Sequence, residues 1–228
     1  MGRTYLFLRI LFIALIFISA LLVVTNVLVA IAFDAHITDR LQSSYDTYSS
    51  LVQVNSALTI LALLVTVTGF VCLIVWTRRA YIVSERAPIV QATRKYSRGM
   101  AIAWWFVPIG NFFMPKKVIS EIERSLRLAT ETTHYSGDWQ LRPVNRRGTK
   151  WWVLFVVASV LGRAGSSGET DAQGFLTDDA VFTSAFGSAL SFAVLIVSLL
   201  YGINYLGYVT DLAEKLVDAQ QPSGSSSD

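Results

Sequence analysis

Hydrophobic positions in this chain come in long unbroken runs rather than at the two- or three-residue intervals of half-buried elements. The first run reads from Ile10 to Phe33 and is interrupted only by Ser19, Thr25 and Asn26. A second runs from about Leu51 to Trp76 and stops against Arg78-Arg79. A third starts at Trp151-Trp152 and reaches Gly162-Arg163, and a fourth covers about Ala180 to Leu206. A helix of about 20 apolar residues crosses a hydrocarbon core of about 30 Å. The pattern therefore predicts an all-α membrane protein with four transmembrane helices, at 10–33, 51–76, 151–163 and 180–206. The third is short, so Arg163 is expected to snorkel to the interface. Tyr201, Tyr205 and Tyr208 recur at helical spacing in the fourth, as expected where amphipathic rings meet headgroups.

A further apolar segment, Met100 to Met114, carries Pro108, Gly110 and Asn111 at its middle. Pro108 removes a backbone donor and stops or kinks a helix, and Gly110 permits a reversal. Each limb would reach only about 10 Å at the helical rise. Segment 100–115 is therefore expected to form a re-entrant hairpin packed among the spans, not a fifth crossing. Counting basic residues supports this. Without a crossing, 17 of the 19 Lys and Arg fall on one side, leaving Arg40 and Arg163 outside. With a crossing the count becomes 9 inside and 10 outside, and the bias that orients membrane proteins disappears. Both termini are then expected on the cytoplasmic side of a bacterial cytoplasmic membrane.

Charged residues make up only 15% of the 228 residues and hydrophobic ones 53%, against roughly 25% charged in soluble domains. Arg3 and Arg9 precede the first run as in a signal peptide, but its apolar region exceeds the roughly 7–15 residues of such a peptide, so an uncleaved anchor is expected. Residues 1–215 read as one multi-pass domain, and the polar, Ser-rich stretch 216–228 as a disordered tail. After Pro115 the pattern changes. Val118, Ile119, Ile122, Leu126 and Ala129 share an arc, with Lys116, Lys117, Glu123, Arg124 and Arg127 off it and Glu121 at its edge. That predicts an amphipathic helix over 116–130 lying on the cytoplasmic interface.

Trp104, Trp105, Phe106, Pro108, Asn111 and Pro115 form a Trp-Trp-Phe-x-Pro-x-x-Asn-x-x-x-Pro pattern, followed by Glu121. Here the sequence resembles the bacterial family catalogued as domain of unknown function 4328, over roughly residues 50 to 215. Arg79-Ala80-Tyr81 and Arg147-Gly148 resemble the family's segments as well. Ser97-Arg98-Gly99-Met100 departs from the family's usual Ser-Pro-Gly-Trp, and Lys116-Lys117 from its Tyr-Gln. The resemblance implies a multi-pass membrane architecture and no established activity. The candidate functional motif is Trp104, Trp105, Pro108, Asn111, Pro115 and Glu121.

No catalytic constellation stands out, and an enzyme is not expected. His36 and His134 fall on opposite faces of the predicted topology, the spans carry no acid, and Cys72 is the lone cysteine. No cofactor or metal site is expected. Ser184/Ser188, Ala185/Ala189 and Gly187/Ser191 are small-residue pairs that allow close helix approach, within the chain or in a homo-oligomer or with a membrane protein partner. Arg78, Arg79, Arg94, Lys95, Arg98, Lys116 and Lys117 are expected to contact anionic lipid on the cytoplasmic face, since basic residues near such a surface are attracted to it. Nucleic acid is not an expected partner. The expected role is a membrane interaction or scaffold component, the alternative a small transporter or channel subunit with its site at the broken helix, Pro108 to Asn111.

Overall fold

The computed structural model describes residues 1–39, 42–86, 95–107, 113–130, 141–165 and 178–220. Six helices occupy the described residues: α1 (Gly2–Asp39), α2 (Gln42–Ser84), α3 (Arg98–Ala103), α4 (Met114–Thr130), α5 (Arg146–Gly165) and α6 (Asp178–Gln220). Three helical stretches are long and apolar enough to cross a membrane, Gly2–Ala35, Tyr45–Ser84 and Ala180–Gln220. They coincide with the first, second and fourth expected spans. α5 covers the third, but its apolar stretch between Lys150 and Arg163 is only about 18 Å long at the helical rise.

The helices outrun the apolar runs, and the reason is visible at the end of α6. Val209, Leu212, Ala213 and Leu216 recur at helical spacing and are all buried. The chain therefore continues as an ordinary amphipathic helix past the expected domain end at 215. Residues 216–220 are helix, not tail, and residues 221–228 lie outside the described residues.

The chain divides into two compact units. One comprises Leu11–Thr68 and Trp151–Leu200, the other Met1–Ile10, Gly69–Lys150 and Tyr201–Asp228. The first unit turns large apolar side chains outward along its helices: Phe17 is 67% exposed, Leu63 61% and Phe186 74%. Such a surface is stable only against an apolar solvent. On α2, Ser56, Thr59 and Thr68 each donate to the carbonyl four residues back at 2.8 Å. Thr25 and Asn26 of α1 both donate to Asn55 Oδ1 of α2, at 2.8 and 3.3 Å. Between α5 and α6, Ser198 Oγ donates to the Trp151 carbonyl at 3.0 Å and Ser191 Oγ to the Ala158 carbonyl at 2.8 Å. A Cβ on Gly162 would stand 3.1 Å from Ser191 Oγ. Ser191, one of the small residues that allow close approach, thus serves packing within the chain.

Candidate functional site

In the second unit, named residues converge on α4. Pro115 is the second residue of this helix, where the missing N–H has no intrahelical partner to lose and the fixed φ suits the first turn. Val118, Ile119, Ile122 and Leu126 are at most 1% exposed. The amphipathic helix expected over 116–130 is present, but protein rather than lipid covers its apolar stripe. An apolar stripe specifies burial and leaves open what does the burying.

Glu121 and Glu123 border this stripe on opposite sides, about 200° apart at 3.6 residues per turn. The sequence pattern placed Glu123 off the buried arc; the structure instead buries it completely. Its Oε2 accepts the Tyr205 hydroxyl of α6 at 2.8 Å and its Oε1 the backbone N–H of Asn145 at 2.8 Å. Asn145 in turn accepts from the Arg147 N–H through Oδ1 at 2.9 Å, so the residue that anchors Glu123 also caps α5. Burial raises the Glu123 carboxyl above the ordinary glutamate range, while its two donors and the charges of Arg127 and Arg124 draw it back. Tyr205 reaches the carboxylate because Gly148 carries no side chain: a Cβ there would lie 2.5 Å from Tyr205 Cζ. The ring expected at the headgroups is therefore internal, 3% exposed.

On the other border of the stripe lies a pocket of about 220 Å³. Lys95, Lys116, Lys117 and Arg124 surround it, with Tyr96, Ser120, Val144 and the buried Glu121 completing the wall. Several parts of this wall are tied down. Glu121 Oε1 accepts the Lys95 N–H at 3.2 Å, and the Tyr81 hydroxyl donates to the Tyr96 carbonyl. Arg124 Nε donates to the Arg142 carbonyl at 2.6 Å and Arg127 to the Pro143 carbonyl at 3.1 Å, which fixes the chain leading to Val144. Burial, and then the Glu121 carboxylate, raise the Tyr96 phenol above its ordinary value.

Residues 39–204 match the family model described as Domain of unknown function (DUF4328). The chain belongs to this family. No match was found among curated proteins or among solved structures. The residues on which the DUF4328 resemblance was read fall into distinct positions. Ala80 and Tyr81 are buried, and Tyr81 holds the Lys95–Tyr96 turn. Trp105 is 3% exposed and meets Phe70 edge-on at 5.5 Å. The Trp104 indole nitrogen is buried without a hydrogen-bond partner among the described residues. Pro115 starts α4, Glu121 joins α4 to Lys95, and Gly148 admits Tyr205. Despite its departure from the family pattern, Ser97-Arg98-Gly99-Met100 begins a helix: the Ser97 hydroxyl caps α3 by accepting from the Met100 N–H at 3.2 Å.

Among the described residues, Lys95, Lys116 and Lys117 of the expected lipid contacts converge. Arg98 is exposed and bonded to Glu85, which raises its guanidinium above the ordinary value; Arg79 donates to Thr4, and Arg78 is exposed. Pro108, Asn111 and Arg94 lie outside the described residues. Among the described residues of the segment expected to pack among the spans, Phe106, Val107 and Phe113 are exposed while Ala101, Trp105 and Pro115 are buried. Glu123 and Tyr205 carried no signal as a pair, because the contact between them depends on how α4 and α6 pack.

Proposed function

We propose that this protein is a non-enzymatic membrane interaction component that spans a cytoplasmic membrane four times, keeps both termini inside, and engages anionic lipid through the basic side of α4. The observation that carries the reading is the convergence of Lys95, Lys116, Lys117 and Arg124 on one pocket, although Lys95 precedes the other three by a whole broken segment. The outward Phe106, Val107 and Phe113 fit a re-entrant or interfacial segment with one side in lipid. The bias of Lys and Arg supports the orientation. Interaction is favoured over transport because Thr25, Asn26 and Asn55 spend their hydrogen bonds on joining α1 to α2.

Single cysteines at 98 and 117 in a Cys72→Ser background test the topology with a membrane-impermeant thiol reagent. Both positions are expected to label from the cytoplasmic side only. Labelling of 117 from outside means that the segment crosses, and the proposed orientation falls.

A further inference from the structure

The first unit contains a cleft of about 710 Å³, inside the range of about 300–1,000 Å³ that holds drug-sized ligands. Val27, Ala30 and Asp34 line it from α1, at the i, i+3 and i+7 positions that share one helix face. Phe182, Ala185 and Phe186 line it from α6 at i, i+3 and i+4. Room is left between the larger groups because Ala30, Ala185 and Gly187 end at a methyl group or less. Phe33 meets Phe182 edge-on at 6.1 Å and Tyr48 at 5.4 Å, so aromatic contacts tie α1 to α6 and to α2 beside the cleft.

An apolar cleft facing lipid accepts an acyl chain without further chemistry, so the other groups in its wall decide what it selects. Asp34 is exposed and forms no hydrogen bond or ion pair among the described residues. Phe182 and Phe186 add two aromatic rings, whose faces attract cations. Phe186 is 74% exposed, so its ring is not taken up by packing. A carboxylate and two rings around an apolar space complement a positive charge carried on an apolar body. We infer that the cleft binds a drug-sized apolar cation, with its body between α1 and α6 and its charge beside Asp34. This goes beyond the lipid reading of α4 and uses none of the residues on which that reading stands.

Tetraphenylphosphonium and tetraphenylborate are suitable probes, because they share a shape and an apolar surface and differ in the sign of their charge. Binding is measured by equilibrium dialysis with the full chain in a non-ionic detergent, against empty micelles of the same detergent. The wild-type chain is expected to bind tetraphenylphosphonium saturably and tetraphenylborate not at all. Asp34→Asn should weaken cation binding about five-fold or more, the effect of one opposite charge at about 4 Å in water. Asp34→Glu should restore most of it, and since Asp34 is exposed neither change threatens the fold. Phe186→Ala should weaken binding about three-fold, the size of one exposed cation–ring contact. Asp218→Asn, at an exposed acid outside the cleft, should change nothing. Equal saturable binding of both ions, insensitive to Asp34→Asn, would mean that the cleft takes any apolar body such as an acyl chain, and would overturn the inference. A preference for the cation that appears only in Arg40→Gln would make the chain's own arginine the partner of Asp34, and would overturn it as well. So would the absence of saturable binding; a dimeric chain that Gly187→Leu renders monomeric would then identify a second copy as the occupant. Each of these outcomes leaves the lipid reading of α4 standing.

Discussion

Among the described residues of the unit built from 11–68 and 151–200, the buried polar side chains are Ser19, Thr25, Asn26 and Ser198, all of them neutral. In the unit containing α4 they include two carboxylates, Glu121 and Glu123, with Thr77, Ser84, Ser120, Ser125 and Thr210. The first unit joins helices through single hydroxyls and amides and turns its largest apolar groups outward. The second buries carboxylates and ties them to backbone N–H groups, although Phe106, Val107 and Phe113 are exposed there. Long helices contribute to both. The buried carboxylates belong to the second unit, where backbone N–H groups and the Tyr205 hydroxyl donate to them.

The largest effect is expected from removing the acceptor that those donors serve. Glu123→Leu would leave the Tyr205 hydroxyl and the Asn145 N–H buried without their partner, at about 1–3 kcal/mol for each group. A clear drop in the thermal midpoint of the detergent-solubilised chain is expected. Glu123→Gln, which retains an acceptor, should recover most of it. Equal midpoints for the leucine variant and the wild-type chain would show that Glu123 does not organise this unit, and the contrast between the units would collapse.

How much of this was legible beforehand follows the same division. Spans announce themselves because lipid demands a continuous apolar run, and three of the four expected runs are helices fit to cross a membrane. The start and the stripe of α4 were readable from Pro115 and from the spacing of Val118, Ile119, Ile122 and Leu126. What covers that stripe was not, since periodicity carries no information about the partner surface. The pocket was half visible. Lys116 and Lys117 stood out as basic neighbours, but the arrival of Lys95 depends on Tyr81 holding the Tyr96 carbonyl. Gly148 belongs to a sequence pattern; that it makes room for Tyr205 emerges only when the helices are packed.

A smaller effect is expected in the first unit. Asn55→Leu removes the shared acceptor for Thr25 and Asn26, yet both side chains also reach the Leu22 carbonyl, at 3.3 and 2.7 Å. Hydrogen bonds between membrane helices average about 0.6 kcal/mol in such tests, because the alternatives within lipid are partly satisfied. A midpoint shift well below that of Glu123→Leu would uphold the contrast. A loss as large as at Glu123 would show that this cluster is as organised as the one around α4.

The subtlest test is the pH dependence of Glu123, and its sign discriminates between two ways of tolerating a buried acid. Burial raises this carboxyl above its ordinary value, opposed by the Asn145 and Tyr205 donors and by Arg127 and Arg124. Between the unfolded and the raised folded value, the folded chain holds more protons than the unfolded chain. Stability contributed by this group is therefore full below the ordinary glutamate value and is lost as pH rises through the folded value. Subtracting the Glu123→Gln midpoint from that of the wild-type chain at each pH isolates the contribution. The difference should decline across the mildly acidic range and then level off. A difference that climbs with pH would mean that the donors and arginines outweigh burial, so that the unit holds an ionised carboxylate by preference. It would then be the fixed donors around α4, rather than the exclusion of water, that set the charge state of this buried acid.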